Sequence, residues 1–290
     1  MGHDMESGFP SEEWVGTLVR QALAEDVGSR DVSTAISVDP IASGRGDLVS
    51  RDKGVVAGLP LLKMVYLQVD PAVSVEPVVT DGTPVGPGSV VAHLEGPVAS
   101  ILTGERTALN FLQNLGGIAS LTAMYVAEVA GTPCRVLDTR KTLPGYRSLA
   151  KYAVLCGGGH NHRMGLYDRV MLKDNHWTAA AVGIDELVAR ARRDFPDLAI
   201  EIEVDTLDQL DQVLPLRVDW ILLDNFTVTD TTEAVTRRDS ASVETLLESS
   251  GNITLETIAG YARAGVDGAS VGRLTHSAGA LDLGLDLERG

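Results

Sequence analysis

The sequence predicts an α/β protein, an incomplete α/β barrel of the TIM type preceded by a smaller α+β sandwich domain. Three observations carry this. Beyond residue 135 six short apolar runs alternate with helical patterns, the grammar of a parallel β/α array. Each of those runs ends in a polar residue or a glycine, as strands do when their C-terminal ends build a site. Between residues 45 and 100 the pattern is instead one of short β-rich runs separated by glycine and proline turns. A chain of 290 residues has room for two such domains. The expected division is a disordered tail over 1–10, a sandwich domain over 11–116, a barrel over 117–275, and a segment over 276–290 that packs back on the N-terminal domain.

Taken in order, SEEWVGTLVRQALAEDVG reads as a helix with Ser11 at its N-cap, acids in its first turn, and Val15, Leu18, Val19 and Ala22 on one stripe. GDLVSRD, GVVAG, VSVEPVV and SVVAHLEG follow as strands, interrupted by the apolar helix LPLLKMVYLQV and the turn cluster DGTPVGPG. This region is similar to the sandwich modules that carry biotin or lipoate. With no lysine between Lys63 and Lys141, the likeness is one of architecture only. Residues 101–130 form a long helical pattern with Leu109, Leu112, Leu115, Ile118 and Thr122 on one face and a bend expected at Gly116-Gly117. The six barrel strands are RVLD, RVMLKD, AIEIEVD, WILLDN, ETLLESSG and GASVG. Between the third and fourth, TLDQLDQVLP shows the helical unit in miniature: Thr206 and Gln209 make a capping box, Leu207, Leu210 and Leu214 a buried stripe, and Pro215 the stop.

Composition excludes several classes. The formal net charge of -16 and 4% aromatic content argue against a nucleic-acid partner, which needs a basic surface and stacking rings. No apolar run is long enough to span a membrane, and the first residues lack a signal-peptide pattern, so a cytoplasmic protein is expected. Cys134 and Cys156 lack metal-type spacing and are expected to be reduced thiols. Local charge departs from the average: from Arg135 to Lys173 eight cations (Arg135, Arg140, Lys141, Arg147, Lys151, Arg163, Arg169, Lys173) face two acids, Asp138 and Asp168. A cationic island in an acidic chain points to a focused anion site.

At the strand ends stand Asp138 to Lys141, Lys173, Glu203, Asp224, Ser250-Gly251 and Gly272. Glu203 and Asp224, on consecutive strands, suit a hard divalent cation such as Mg²⁺ or, equally, capping and salt-bridging roles. The ESSGN and SVGR turns suit phosphate on backbone N–H groups, or simple tight turns. GGGHNHR, residues 157–163, has neither the spacing of a zinc motif nor that of a P-loop. It fits recognition of an anionic substrate, with glycines permitting backbone approach and Arg163 offering a planar fork to a carboxylate.

DTRKTLPGYRSLAKYAVLCGGGHNHRMGLYDRVMLKDNH, followed by EIEVD, ILLDNF, LESSGNI and VGRLTHS, resembles the quinolinate phosphoribosyltransferase family over nearly the whole chain. The resemblance implies the two-domain fold above, a homodimer, and formation of nicotinate mononucleotide, pyrophosphate and CO₂ from quinolinate and phosphoribosyl pyrophosphate with Mg²⁺. Carried over by position, it assigns Arg140, His162, Arg163 and Lys173 to the pyridine dicarboxylate, with Arg106 entering from the neighbouring subunit, and counts Thr139 among the substrate-binding residues. It places Lys141 and Lys173 on the sugar donor's phosphates, Glu203 and Asp224 on its ribose and the metal, and Ser250, Gly251 and Gly272 on its 5'-phosphate. Lys141, Lys173, Glu203 and Asp224 are thus the expected catalytic set. Arg273 departs from the family's usual small residue in VGALTHS. Other readings of the sequence are a molybdenum-transport pyrophosphorylase-like protein, a nicotinate phosphoribosyltransferase, a Schiff-base aldolase through Lys173, and a carrier or anion-sensing protein built on the N-terminal module.

Overall fold

The computed structural model describes residues 8–173, 176, 179–241 and 243–288. Residues 1–7 of the expected tail, Asp174 at the end of the second barrel run, and the last two residues of the C-terminal segment lie outside this set. The chain divides into two compact units. The first comprises Met1–Ala123, Pro144–Gly158 and Ser277–Gly290; the second comprises Met124–Leu143 and Gly159–His276.

In the first unit, strands β1 (Ser43–Ser50), β3 (Ser74–Pro77), β5 (Val90–Pro97) and β12 (Leu283–Leu287) form an antiparallel sheet in the order β12-β1-β5-β3. The short β2 (Gly54–Val55) and β4 (Pro84–Val85) pair separately. The last strand of the chain therefore borders the first one of the sheet. Helix Glu12–Val27 buries Val15 and Val19 and packs on helix Leu59–Val69, whose Leu61, Leu62, Val65 and Tyr66 are buried. Ser11 holds the N-cap position without a side-chain cap bond. The turn cluster braces its surroundings. Its Asp81 carboxylate accepts the N–H groups of Gly58 and Leu59 at 3.0 and 3.1 Å, capping helix Leu59–Val69, and the Tyr152 hydroxyl at 2.5 Å.

The long helix spans Val98–Glu128 as one element, so the boundary expected between residues 116 and 117 falls inside it. Gly117 owes its place to packing, since a Cβ there would lie 1.8 Å from the Gly279 carbonyl oxygen. Helix Arg147–Cys156 also belongs to the first unit, which the linear division into 11–116 and 117–275 did not anticipate.

The second unit contains β6 (Arg135–Leu137), β7 (Val170–Leu172), β8 (Ile200–Val204), β9 (Trp220–Asp224), β10 (Leu246–Ser250) and β11 (Gly268–Ser270). All are parallel, in the order β6-β11-β10-β9-β8-β7. Six strands were expected here, and six stand among the described residues. The order is circular except that β6 and β7, consecutive in the chain, do not pair, which makes the barrel incomplete. The helices that follow β8, β9 and β10 are Leu207–Val213, Val228–Ser240 and Leu255–Ala264. The first opens with the expected Thr206/Gln209 capping box and buries Leu210 and Val213. Alternation along the strands sends Ile202, Val204, Ile221, Leu223 and Leu247 to one face and Glu201, Glu203, Leu222, Asp224, Glu248 and Ser250 to the other.

Candidate active site

The C-terminal ends of the parallel strands surround a cleft of about 350 Å³ whose lining includes Thr139, Arg140, Lys141, His162, Arg163, Lys173, Glu203, Asp224 and Ser250. Nine of the expected site residues are thereby brought together within the second unit. Gly251 follows Ser250 and lies against Asn225, and Gly272 lies against the Lys141 side chain. Arg106 is exposed on helix Val98–Glu128 in the first unit. Sequence reasoning passed over Met171, Leu222, Glu248 and Ser270 of the lining. Glu248 and Ser250 share a strand face two residues apart, and that alternation is the unused signal that would have found Glu248.

The cationic island separates into parts. Arg140, Lys141, Arg163 and Lys173 line the cleft. Arg135 is exposed at the start of β6, the end away from the cleft, while Arg147 and the wholly buried Lys151 belong to a helix of the first unit. Arg273 is exposed, with the Glu256 carboxylate held below its usual range first by hydrogen bonds at Thr254 and its own backbone and then by the Arg273 charge. It is absent from the cleft lining.

GGGHNHR also divides. Gly157 ends helix Arg147–Cys156, and a Cβ there would sit 2.4 Å from the Ala119 carbonyl oxygen, so close helix packing requires it. Ligand approach, the expectation for these glycines, is not what Gly157 serves. His160 then bridges the free edge of β6, donating its N–H to Val136 at 2.8 Å and accepting from Asp138 N–H at 3.1 Å. This short parallel bridge delivers His162 and Arg163 to the cleft beside Arg140. The buried Asp138 fixes the arrival by accepting the His162 N–H at 2.9 Å.

Two polar layers result. In the upper one, Lys173 pairs with Glu203, and the Asn225 amide donates to Asp224 at 2.7 Å. Partial burial, with the Asp205 charge second, pushes the Asp224 carboxyl above its usual range, against the opposing pull of Lys173 and Lys141. A carboxylate that is costly to ionise, facing the same cleft as Glu203, suits an added hard cation completed by water and phosphate oxygens. Lys141 is tied down at its backbone: its N–H reaches Thr139 Oγ1 at 3.0 Å and its carbonyl accepts the hydroxyl of Thr275, in helix Arg273–His276, at 2.7 Å.

Beneath lies a second group. Glu201 and Glu248 are wholly buried, and His162 and Arg163 nearly so. His162 Nε2 lies 3.1 Å from Glu201 Oε2 and 3.4 Å from Glu248 Oε2, and Arg169 Nη1 lies 3.2 Å from Glu201 Oε2. Ser270 donates to Glu248 Oε1 at 2.5 Å. His162, Glu201 and Glu248 could hold a divalent cation, their ligand atoms lying within 4.8 Å of one another. Arg169 already brings a positive charge there, 3.4 Å from Nε2. Burial lowers the imidazole's pKa, but the two glutamates outweigh it and would carry it to about 9. The Arg163 N–H, 2.7 Å from Nδ1, opposes a second ring proton, because a protonated Nδ1 would set donor against donor. The ring proton therefore sits on Nε2. Burial and the Glu201 charge push the Glu248 carboxyl up; His162 and Arg169 hold the Glu201 carboxyl below its usual range against its own burial.

No helix among the described residues is long and apolar enough to cross a membrane. Burial pushes the thiols of Cys134 and Cys156 up to about 12, so neither is a ready nucleophile.

Comparison with known proteins places this geometry. The model of the quinolinate phosphoribosyl transferase C-terminal domain matches residues 118–286, and that of the N-terminal domain residues 31–115. The chain is 43% identical over 272 residues to a nicotinate-nucleotide pyrophosphorylase [carboxylating] of Mycobacterium leprae, covering 93% of this chain and 95% of that one. It is 35% identical to a quinolinate phosphoribosyltransferase [decarboxylating] of Nicotiana glauca, over 93% of this chain and 81% of the relative. The structure of a nicotinate-nucleotide pyrophosphorylase from Francisella tularensis superimposes with a TM-score of 0.92 at 36% identity, covering 97% of this chain and 98% of the other.

Proposed function

The chain belongs to the quinolinate phosphoribosyl transferase family, and from that premise we propose that its cleft joins quinolinate to the ribose of phosphoribosyl pyrophosphate, giving nicotinate mononucleotide, pyrophosphate and CO₂. One observation carries the reading: Arg140, Lys141, Arg163 and Lys173 converge on one cleft with the carboxylates of Glu203 and Asp224 at the ends of adjacent strands. A dicarboxylate, a pyrophosphate and a cationic sugar centre need those charges together.

Arg140 and Arg163 hold the two carboxylates and direct the pyridine nitrogen at the anomeric carbon. The nitrogen lone pair forms the new N–C bond as the anomeric C–O bond breaks, its electron pair leaving with pyrophosphate. Lys141 and Lys173 meet the charge that grows on the leaving group, and Glu203 and Asp224 tolerate the positive sugar. Mg²⁺ held by Glu203 and Asp224 would add charge neutralisation at the phosphates. The alkylated ring then accepts the electron pair of the adjacent C–C bond as CO₂ departs, and the ring carbon takes a proton. Ser250, Gly251 and Gly272 receive the 5'-phosphate on backbone N–H groups. In the homodimer, Arg106 of each subunit closes its neighbour's dicarboxylate pocket.

The test follows CO₂ release from carboxyl-labelled quinolinate, with and without phosphoribosyl pyrophosphate and Mg²⁺. Release that depends on both is expected; full release in excess chelator removes the metal role, and no release removes the reading. Mixing Arg106→Ala with Arg163→Ala subunits tests the shared site, since both lesions can fall in one pocket and leave the other whole. Confirmed subunit exchange without recovered activity excludes action in trans.

A further inference from the structure

The sugar donor is held at two ends, its ribose hydroxyls at Asp224 and its 5'-phosphate at the Ser250-Gly251 turn, and one exposed side chain links the two places. We propose that this residue, Asn225, is a positioning residue for the donor: it ties the Asp224 carboxylate to the turn after β10, so that both ends of the donor are gripped at a fixed spacing. The inference deepens the reading of the cleft as a phosphoribosyl pyrophosphate site and rests on it. Asn225 acts through Asp224 and the turn, without a bond of its own to the donor.

Asn225 is the first residue beyond β9. Its N–H donates to the Ser250 carbonyl at 2.9 Å, just past the Ser250–Asp224 pair on which β10 and β9 end. The side chain bonds in two directions. Nδ2 donates to Asp224 Oδ2 at 2.7 Å, and Oδ1 accepts from Asn252 Nδ2 at 3.3 Å. The carboxylate fixes this polarity: an ionised carboxylate only accepts, so Asn225 turns its NH₂ to Asp224 and its oxygen to Asn252, which answers with its own NH₂. One amide thereby stops the Asp224 carboxylate from rotating and joins it to the phosphate turn.

The backbone is bent to make the link. Among the described residues three other than glycine have positive φ, and two of them are Asn225 at 54° and Asn252 at 51°. Gly251 stands at 94°, and a Cβ on it would lie 2.2 Å from Asn225 Oδ1. Asparagine enters the left-handed region more readily than most residues, and strained backbone of this kind collects at ligand sites. Stability gives no reason for it. Asn225 and Asn252 are exposed, where a hydrogen bond trades against water and adds little net. What the bend supplies is a fixed distance between a carboxylate and a phosphate turn. Phosphate binding then orients the ribose for attack as well as retaining it.

Asn225→Gly tests this, since it removes the amide and keeps a left-handed backbone that glycine adopts freely. Calorimetry without metal compares variant and wild type for ribose 5-phosphate, which has both ends, and for inorganic phosphate, which has one and is read by its competition with the sugar phosphate. The expected result is a Kd for ribose 5-phosphate raised about tenfold, with the Kd for phosphate within about twofold of wild type, the scale of one hydrogen bond to a charged group. In turnover the KM for phosphoribosyl pyrophosphate rises in the same proportion, while the KM for quinolinate stays within about twofold. Wild-type affinity for ribose 5-phosphate in the folded variant overturns the proposal. So does an equal loss for both ligands, because Asn225 then shapes the phosphate turn alone.

Should Asn225→Gly fail to fold, Asn225→Asp keeps the outline of the side chain and the acceptor for Asn252, and removes only the donor to Asp224. Its added charge weakens both phosphorylated ligands alike, so the ratio of their Kd values reads the link. A ratio raised about tenfold is expected, and a wild-type ratio overturns the proposal. If wild-type protein binds no ribose 5-phosphate and releases no CO₂ from quinolinate, the reading of the cleft fails and the inference falls with it. That outcome is distinct from a wild type that binds and turns over beside variants that match it, which sinks the role of Asn225 alone.

Discussion

Glu201 and Glu203 stand two residues apart on β8, on the same face of the same strand, yet they do opposite work. Glu203 sits at the rim and pairs with Lys173, whose side chain is 38% exposed. Glu201 is wholly buried and pairs with Arg169 and His162. The step between them is about one pleat repeat of the strand, roughly 6 to 7 Å. At the rim, charge meets solvent and ligand and can be exchanged for substrate contacts. One repeat deeper, charge cannot be rehydrated and has to be balanced by fixed partners. Identical residue types thus become a reactive layer and a rigid layer, and depth alone separates them.

The widest gap should appear in stability. Glu201→Gln removes the carboxylate charge that balances Arg169 and is expected to cost about 3–5 kcal/mol, the range for breaking a buried pair from one side. Glu248→Gln should cost far less, because burial and the Glu201 charge already disfavour the ionised Glu248 carboxyl and an amide oxygen still accepts the bond from Ser270. Urea unfolding of the two variants compares them directly. Equal losses would mean that Glu248 is ionised and that the two depths are not distinguished as described.

In the upper layer the reverse holds, with turnover falling while the fold persists. Lys141→Ala and Lys173→Ala are each expected to lower kcat by about 10² to 10³. A change in thermal midpoint with unaltered kcat in the folded protein would instead make the lysine structural. Substrate truncation probes the same layer more gently. Nicotinate lacks one carboxylate, leaving part of the Arg140, Arg163 and Lys173 set unpaired, at about 1 to 3 kcal/mol per unsatisfied buried group. Equal kcat/KM for nicotinate and quinolinate would break that account.

Much of this was legible in the sequence because the barrel's rules are local. All six parallel strands followed from apolar runs, and the strand-end residues followed from where those runs stop, so nine cleft residues were expected by position. What stayed hidden depends on contacts between distant segments. Gly157 looked like a glycine for ligand approach and instead meets the Ala119 carbonyl, 38 positions earlier in the chain. Arg147 and Lys151 counted toward a cationic island because charge was read along the chain, but their helix clusters with the first unit. Glu201 sat in plain view in EIEVD; only its alternation with Glu203 marked it as inward, and nothing local told how deep it would lie. Arg169 and Trp220 could not be joined to it without the strand register.

The smallest effect is also the sharpest test of the rim. Burial first, then the Asp205 charge, raises the Asp224 carboxyl above its usual value, although Lys173, Lys141 and the Asn225 amide oppose this. A raised folded-state pKa means that the protonated form favours the fold: that contribution is full below the unfolded-state pKa and is lost as pH rises through the folded-state pKa. At neutral pH the ionised Asp224 is therefore a modest liability in the protein without ligands. Asp224→Asn should raise the thermal midpoint slightly at pH 7 and leave it nearly unchanged at pH 3, while turnover falls with the loss of a metal-holding carboxylate. Added Mg²⁺ and phosphoribosyl pyrophosphate should stabilise wild type more than the variant, because only wild type has the charge that the cation relieves. If the midpoint of Asp224→Asn drops at pH 7, Asp224 is a net stabilising anion there, paired with Lys141 and Lys173 in the resting cleft, and the rim is as internally balanced as the layer beneath it.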